Sequence, residues 1–353
     1  MKLLVLPGDD IGPEITPIAL AALQAADRRF ELGLEFTHGL IGMAAHAAYG
    51  STMPDGLLES AMAHDGVILG PLGTYAYPPK EQGGINPSGG LRKSLDLYAN
   101  IRPARTWPGA PSIVPEMDLV IARENTEGFY ADRNMFAGSG EFMPTEDVAL
   151  SVRKITRAGC ERIARSAFAM AARRRCKVTV IHKANVLKLT CGMFRDIAFE
   201  IGREYPDIEV EELIVDAAAA HLARRPQSFD VLLTSNLYGD ILSDLACELA
   251  GGLGLGASIN VGDRYGIAQA SHGSAPDIAG RNIANPGGLV LSAAMLLGWL
   301  GDKHGRPEYH QAQVAIERAV ASLLADPASR TGDLGGKAGT AEFGEKLVAL
   351  IAG

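Results

Sequence analysis

The stretch SNLYGDILSDL, residues 235–245, places two carboxylates four residues apart in otherwise apolar sequence. If a helix begins near Tyr238, Asp240 and Asp244 lie on one of its faces, one turn apart. Two carboxylates in this arrangement could begin a site for Mg²⁺ or Mn²⁺, because both ions prefer oxygen ligands. Alternatively, Asp240 interacts with the helix N-terminus and Asp244 with solvent. The spacing alone leaves both interpretations open.

Other residues that could do chemistry follow apolar, strand-like runs. Asp216 precedes an alanine-rich helix, where it is either a metal ligand or a helix cap. Lys183 follows the run KVTVI and could accept a proton in a reaction, or be an ordinary loop lysine. Arg92, Arg102 and Arg123 carry forked guanidinium groups that match carboxylates. Together they would suit a di- or tricarboxylate, whereas each alone is more often a surface residue.

Two glycine-containing stretches are candidates for a nucleotide site. GGLGLG at 251–256 lacks the G-x-G-x-x-G spacing and follows a predicted helix rather than a strand, so we reject it. HGSAPDIAGRNIANP at 272–286 is the better candidate. It carries small residues that allow close backbone approach and an acidic residue able to bind ribose hydroxyls.

These residues must be positioned by elements that alternate along the chain. Strand–helix alternation predicts an α/β protein with a largely parallel sheet. Short apolar runs predict buried strands at 3–6, 66–69, 119–122, 178–181 and 231–233. Amphipathic stretches predict helices at 13–26, 152–174, 190–203, 240–249 and 286–300. The Gly- and Pro-rich stretch 75–90 is predicted to be a loop, and 129–145 a projecting arm or hairpin.

Composition excludes several classes of protein. The net charge of −8 over 353 residues argues against a nucleic-acid binder. The four cysteines show no C-x-x-C spacing, so a zinc site or disulfide framework is not expected and a reducing cytoplasm fits. The N-terminal apolar run is too short for a signal peptide, and the stretch 289–300 is too short to span a bilayer. A soluble, cytoplasmic protein with no membrane partner is predicted.

Taken together, motifs along nearly the whole chain resemble the β-decarboxylating dehydrogenases, the family of isocitrate, homoisocitrate, 3-isopropylmalate and tartrate dehydrogenases. Seven motifs in family order make the resemblance specific. They are LPGDDIGPEI, LRKSLDLYANIRP, RENTEGFY, HKANVL, SNLYGDILSDL, HGSAPDIAG and RTGDLGG.

The resemblance implies an isopropylmalate dehydrogenase-like two-domain fold with a mixed, largely parallel sheet, not a Rossmann fold. Residues 1–97 and 251–353 would form a large, discontinuous dinucleotide-binding domain. Residues 98–250 would form a small domain with the metal ligands and a dimerisation arm at about 129–145. In this family the active-site cleft lies between the domains. The partner would be a second copy of the chain, because the active site is shared in a homodimer.

The resemblance also implies roles for the candidate residues. Asp240 and Asp244 of one subunit and Asp216 of its neighbour would bind Mg²⁺ or Mn²⁺, which chelates the hydroxyl and adjacent carboxylate of the substrate. Lys183 of the neighbour would take the hydroxyl proton as hydride passes to the nicotinamide. After loss of CO₂, Tyr130 would protonate the enol.

For the cofactor, the resemblance implies NAD rather than NADP. Family members that use NADP carry a basic residue at the position of Asp277, whereas a carboxylate binds ribose hydroxyls and would repel a 2′-phosphate. Arg92, Arg102 and Arg123 would bind the substrate carboxylates. The expected cofactor contacts are Thr74, Asn185, His272, Gly273, Ser274, Ala275, Asp277, Ile278 and Asn285.

The identity of the substrate is left open by departures from the family. Isopropylmalate dehydrogenases have a leucine pair where this chain has Ser88 and Gly89, and isocitrate dehydrogenases have a serine at the position of Asn86. Asn86 or Ser88 could bind an extra carboxylate, or the glycines could make room for a bulky group. Asp10 and Gln269 replace a usual glycine and glutamate; neither is given a role.

We therefore predict NAD- and metal-dependent oxidative decarboxylation of a 3-substituted malate, favouring isocitrate or homoisocitrate. The alternatives are 3-isopropylmalate, tartrate or malate dehydrogenase of the same family. A Mg²⁺-dependent phosphoryl-transfer enzyme and a catalytically silent dimeric scaffold are the remaining hypotheses.

Overall fold

The structure is a computed structural model of the chain that describes residues 1–130 and 135–353. It divides into two compact units. Unit 1 comprises Met1–Leu95, Thr106–Ile113 and Gly251–Gly353, and unit 2 comprises Asp96–Arg105 and Val114–Ala250. The assignment of the cofactor to one domain and the metal to the other stays a prediction.

The elements alternate in chain order as the apolar pattern predicts. The strands are β1 Lys2–Leu6, β2 Glu35–His38, β3 Gly66–Leu69, β4 Ala99–Arg105, β5 Asp118–Glu124, β6 Glu141–Thr145, β7 Val148–Ser151, β8 Lys177–His182, β9 Glu209–Ile214, β10 Val231–Thr234, β11 Ile259–Val261 and β12 Gly266–Ala268. The helices are α1 Gly12–Phe30, α2 Gly42–Tyr49, α3 Leu57–Met62, α4 Pro87–Ser94, α5 Arg157–Ala171, α6 Thr190–Gly202, α7 Val215–Arg224, α8 Asn236–Ala250, α9 Gly287–His304, α10 Pro307–Ala325 and α11 Thr340–Ala352.

Unit 1 contains strands in the order β2-β1-β3-β12-β11, and only the β11–β12 pair is antiparallel. Helices α1, α9, α10 and α11 pack against one another. Helix α9 is apolar around most of its circumference, and it is almost entirely buried, as such helices are in globular cores. No helix among residues 1–130 and 135–353 is both long and apolar enough to cross a bilayer.

Unit 2 contains strands in the order β4-β5-β10-β8-β9. The β4–β5 pair is antiparallel, and the other neighbours are parallel. The carboxyl ends of β5, β10, β8 and β9 therefore lie at one edge, where α/β folds place their functional side chains. Leu119, Ile121 and Leu232 from the sheet pack against Leu242 of α8, so this helix is anchored over that edge.

The predicted α/β fold class and each predicted buried strand are confirmed, with strand ends shifted by at most two residues. Two expectations are wrong in part. Helix α5 begins at Arg157 rather than 152, because Thr156 caps it by accepting from the Gly159 amide at 3.1 Å. The predicted loop 75–90 ends inside α4, which Asn86 caps and Pro87 begins.

The predicted arm at 129–145 is partly visible. Residues 131–134 lie outside the described part of the chain. Beyond them, β6 and β7 form an antiparallel hairpin whose residues are all exposed. Its role in dimerisation stays a prediction.

Candidate active site

Helix α8 carries Asp240 and Asp244 one turn apart at the carboxyl edge of unit 2. The helix begins at Asn236, four residues before the predicted range 240–249 and two residues before Tyr238. The side chains of Asp240 and Asp244 are 35% and 49% exposed, so they are only partly removed from water. Asp240 Oδ1 accepts from Arg123 Nη1 at 2.5 Å and lies 3.1 Å from Arg102 Nη1. The two carboxylates are therefore balanced by arginines.

Strands β4 and β5 position these arginines. In their antiparallel register Asn100 lies opposite Arg123, and Arg102 Nε donates to Asn100 Oδ1 at 2.7 Å. Arg102 Nη1 also donates to Ser243 at 2.8 Å and to Asp244 at 3.3 Å. Because both arginine stems are fixed by strand backbone and by neutral acceptors, their charged ends are held toward α8.

Arg123 is the most enclosed charge of the cluster, with a side chain only 1% exposed. Its Nε and Nη2 donate to the carbonyl and side-chain oxygens of Asn236 at 3.0 and 2.5 Å. A Cβ on Gly239 would lie 2.6 Å from Arg123 Cγ. Glycine at 239 thus lets α8 approach the arginine closely.

Tyr130 completes the cluster. Its hydroxyl accepts from Arg123 Nη2 at 3.1 Å and donates to Asp240 Oδ2. Burial raises the pKa of Tyr130 and the Asp240 charge raises it further, while Arg123 opposes them. The phenol therefore keeps its proton near neutral pH and can act as an acid.

The donor set on α8 fits a hard divalent cation. Burial and the charge of Asp240 raise the pKa of Asp244, and Arg102 opposes this shift. A cation beside both carboxylates would relieve that repulsion, and oxygen donors are what Mg²⁺ and Mn²⁺ prefer. Across the residues that the structure describes, no three His, Cys, Asp or Glu side chains of one chain are grouped to hold a metal. Asp216 is thus not brought to this pair within one chain.

Asp216 instead pairs with Lys183. Strands β8 and β9 are parallel with His182 opposite Ile214, so Lys183 and Asp216 follow neighbouring strand ends. The lysine Nζ donates to Asp216 Oδ1 and lowers the pKa of that carboxyl. Asn185 lies in the exposed turn after Lys183. The two residues predicted to reach across subunits are therefore together.

In unit 1, the segment between β12 and α9 holds most of the predicted cofactor contacts. His272 Nδ1 contacts the Gly273 carbonyl at 2.9 Å, so this nitrogen carries the proton and Nε2 is an acceptor. Nε2 is buried and has no hydrogen-bond partner among the described residues. Burial lowers the pKa of His272. Ala275 has a positive φ of 44°. Residues other than glycine rarely adopt this conformation, and it is often found in functional segments.

A cavity of about 680 Å³ adjoins this segment. Ile278 and Ile283 supply apolar surface, and Asp333 accepts from Asn285 Nδ2 at 2.9 Å. Asp277 is exposed. The prediction missed several residues of the cavity wall, although the RTGDLGG motif lies among them: Asn282, Gly332, Asp333 and Lys337.

The loop that carries Thr74 is held by Asp9, another residue that sequence reasoning did not assign. Asp9 is buried and accepts from the amides of Met43 and Gly73 and from the Tyr77 hydroxyl, at 2.7, 3.0 and 2.6 Å. Asp10, where the family has glycine, has a positive φ of 52°. The sequence signal that could have identified Asp9 is its place in the motif LPGDDIGPEI.

Helix α4 carries the residues expected to recognise the third position of the substrate. Asn86 Oδ1 accepts from the Gly89 amide at 3.2 Å, so this oxygen serves as the helix cap. Ser88 and Arg92 lie one turn apart. The space beside Gly90 is filled by Met53, because a Cβ there would lie 2.7 Å from its sulfur. This glycine makes room for Met53 rather than for a ligand.

Comparison with known proteins agrees with the architecture. A family profile described as isocitrate/isopropylmalate dehydrogenase matches residues 2–347. The 3-isopropylmalate dehydrogenase of Archaeoglobus fulgidus is 39% identical over 351 residues, which cover 99% of each chain. The isocitrate/homoisocitrate dehydrogenase of Thermus thermophilus is 40% identical over 351 residues, covering 99% of this chain and 98% of that one. A crystal structure of isocitrate dehydrogenase from Methylococcus capsulatus superposes with a TM-score of 0.88 at 41% identity, covering 100% and 99%.

By these matches the protein is an enzyme, an NAD-dependent decarboxylating dehydrogenase with an α/β fold. The chain belongs to the isocitrate/isopropylmalate dehydrogenase family. The predicted resemblance is thus confirmed, while the relatives carry different substrate names.

Proposed function

We propose that the protein uses NAD⁺ and a divalent cation to oxidise and decarboxylate a 3-substituted (R)-malate to a 2-oxo acid and CO₂. The observation that carries this proposal is the grouping of Arg102, Arg123 and Tyr130 around Asp240 on the carboxyl edge of unit 2. Guanidinium groups bind substrate carboxylates, the aspartate binds a cation, and a protonated phenol supplies a proton to carbon. Phosphoryl transfer leaves the phenol without a role, and family membership excludes it.

Asp240 and Asp244 would hold Mg²⁺ or Mn²⁺ together with Asp216 of a second copy. The bound cation supplies Lewis-acid stabilisation of negative charge on the substrate oxygen. Lys183 of the second copy accepts or relays the hydroxyl proton once its own ammonium proton has passed to solvent, and its contact with Asp216 positions the nitrogen. Tyr130 then delivers its proton to the carbon that has lost CO₂, with Asp240 orienting its hydroxyl. Arg92, Arg102 and Arg123 bind the carboxylates.

NAD⁺, the hydride acceptor, is preferred to NADP⁺ because Asp277 accepts from ribose hydroxyls and repels a 2′-phosphate. The acceptor Nε2 of His272 suits an exocyclic amino group such as that of adenine. Ile278 and Ile283 offer apolar surface to a base. Thr74, Gly273, Ser274, Ala275, Asn285 and Asn185 are the remaining proposed contacts.

For the substrate we favour an isocitrate- or homoisocitrate-like acid, because Asn86, Ser88 and Arg92 present polar groups at the third position. The second candidate is 3-isopropylmalate, for which the Archaeoglobus relative is named. The test is reduction of NAD⁺ with Mn²⁺ and a panel of isocitrate, homoisocitrate, 3-isopropylmalate, tartrate and malate. The highest kcat/KM for isocitrate or homoisocitrate supports the proposal. The highest value for 3-isopropylmalate refutes the substrate assignment, and inactivity with all five acids refutes the proposal.

The active enzyme is proposed to be a homodimer with shared active sites. Exposed apolar side chains lie near the catalytic elements of unit 2 and on the hairpin, and surfaces of this kind mark interfaces. They are Val186, Leu189, Ile241, Phe142, Met143 and Leu150. A cytoplasmic location is also proposed, because none of the four cysteines, all of which the structure describes, forms a disulfide bond.

Mixing two inactive variants tests the shared site. Lys183→Met and Asp240→Asn dimers should each be inactive, but each mixed dimer contains one intact site. Random exchange at equal concentrations should restore about a quarter of wild-type activity, because half of the dimers are mixed and each has one working site of two. If both residues acted within one chain, mixing would restore nothing.

A further inference from the structure

His182 is the last residue of β8 and immediately precedes Lys183. It is buried, with only 4% of the residue exposed. Its Nδ1 accepts from the Ala184 amide at 3.0 Å, so the imidazole ring closes a turn around Lys183. The other ring nitrogen, Nε2, lies 3.1 Å from Glu212 Oε2 on β9. Because a backbone amide can only donate, Nδ1 is unprotonated, and Nε2 carries the proton and donates to the carboxylate.

Both contacts of His182 require a neutral ring. A doubly protonated imidazolium has no lone pair with which to accept from the Ala184 amide. Burial lowers the pKa of His182, while the charge of Glu212 opposes this shift. The ring is therefore neutral near neutral pH, and Nδ1 remains an acceptor.

The turn after β8 is also fixed by backbone hydrogen bonds. The Lys183 carbonyl accepts from the amides of Val186 and Leu187 at 3.1 and 2.8 Å. The backbone of Lys183 is thus held between these bonds and the His182 ring. A lysine has a flexible four-carbon stem, so a fixed backbone limits the positions that its amine can reach. Here the amine reaches Asp216, which follows the neighbouring strand β9.

We propose that His182 is a positioning residue for Lys183. Its Nδ1 holds the turn from which the lysine side chain extends, and it acts through the Ala184 amide rather than by contact with the substrate. The contact with Glu212 fixes which ring nitrogen is protonated. This inference rests on the proposed function, because it assumes that Lys183 accepts or relays the hydroxyl proton.

Two substitutions in the full-length protein separate the two contacts of the ring. In His182→Asn the side-chain oxygen occupies the place of Nδ1 and accepts from the Ala184 amide, as asparagine does in turns. In His182→Gln the longer side chain places its amide near the position of Nε2, so it keeps the contact with Glu212 and loses the contact with Ala184. Both replacements are neutral and polar, so each is the matched control for the other.

Steady-state kinetics with NAD⁺, Mn²⁺ and the best acid of the panel compares the variants. We expect kcat to fall about tenfold or more in His182→Gln and less than about threefold in His182→Asn, because only the first releases the turn that positions Lys183. KM for the acid should change little in both, since Lys183 transfers a proton and does not bind the carboxylates. Equal losses in the two variants, as a merely structural role would give, or a smaller loss in His182→Gln, would overturn the proposal.

Hydrogen–deuterium exchange of the peptide that contains Ala184 reports on the turn without turnover. This peptide should be protected in the wild type and in His182→Asn, and it should exchange faster in His182→Gln. Rapid exchange in the wild type would overturn the proposal without any variant. A wild type that oxidises none of the five acids refutes the proposed function and the catalytic purpose of the turn, and the exchange measurement still decides whether His182 holds it.

Discussion

The charged cluster of unit 2, formed by Arg102, Arg123, Tyr130 and Asp240, and the segment 269–286 of unit 1, which is proposed to contact the cofactor, are built in opposite ways. In the cluster, Arg102 and Arg123 extend from regular strands and meet Asp240 on a regular helix. The segment 269–286 has little regular structure, and it contains a buried histidine nitrogen, His272 Nε2, to which no described residue gives a hydrogen bond. The first region pairs its arginines with its own carboxylates, whereas the second contains a buried acceptor that no described residue pairs.

The difference has a physical reason. Reacting groups require fixed distances, and strands and helices hold side chains more firmly than loops do. A dinucleotide presents phosphates, hydroxyls and a flat base, which irregular backbone with small residues can approach closely. Substitutions in the cluster should therefore affect chemistry, and substitutions in the segment should affect cofactor choice and local stability.

The largest effect is expected for Asp240→Asn. This change keeps the shape of the side chain but removes a proposed metal ligand and the charged partner of Arg123. We expect kcat to fall on the order of 10³-fold or more with an unchanged circular dichroism spectrum. Asp207→Asn, on an exposed turn of unit 2, is the matched control and should remain active. Metal-dependent turnover of the Asp240→Asn variant at the wild-type rate would show that Asp240 is not a metal ligand.

Next in size is Tyr130→Phe, which deletes only the hydroxyl. Because that hydroxyl is the proposed proton donor, kcat should fall about 10²-fold. KM for the substrate should change little, as measured by steady-state kinetics. Tyr205→Phe, whose ring stacks on Phe168, controls for loss of a phenol elsewhere in unit 2. A rise in KM alone would assign Tyr130 to binding rather than to proton transfer.

A smaller effect is expected in unit 1 for Asp277→Asn. Loss of the carboxylate should reduce the preference for NAD⁺ over NADP⁺ by about tenfold, because repulsion of the 2′-phosphate is removed. The measurement is kcat/KM with each dinucleotide, and the exposed Asp55→Asn serves as control. A wild type that uses NADP⁺ equally well would contradict the assignment of Asp277.

The smallest effect concerns acid stability. Burial lowers the pKa of His272 in the folded protein, so its stabilising contribution is present above the unfolded pKa of about 6.5 and is lost as the pH falls below it. His272→Gln should reduce this loss by up to about 1.4 kcal/mol per pH unit. Urea unfolding between neutral and mildly acidic pH measures the slope. An unchanged slope, with the exposed His38→Gln as reference, would mean that His272 titrates normally.

Prediction from sequence succeeded where the pattern is local. Helix α6 and the strands β3 and β10 follow from short periodic runs and match to within a residue. Strand β4 was missed, because ANIRPAR contains a proline and two arginines and lacks an apolar run. The first turn of α4 was predicted to be part of a loop, because its proline and two glycines are residues typical of turns.

In the candidate site, too, features that depend on local spacing were predicted and features that depend on long-range contacts were not. The spacing of Asp240 and Asp244 placed them on one helix face, and the structure bears this out. The contacts of Gln269 with Ser88 span 181 residues of sequence, and neither local composition nor periodicity reports on them. The packing of Met53 beside Gly90 and the capping of α4 by Asn86 are likewise visible only in the structure.

By itself, the sequence determined the alternation of strands and helices, the family, and the helical spacing of the two aspartates. Each depends on residues that are near neighbours or on motifs read in order. Only the tertiary structure decided which polar side chains meet: Asp240 with Arg102 and Arg123, Lys183 with Asp216, and Gln269 with Ser88 and Arg92. These pairings depend on strand order and helix packing, and such long-range contacts leave no trace in the local pattern of the chain.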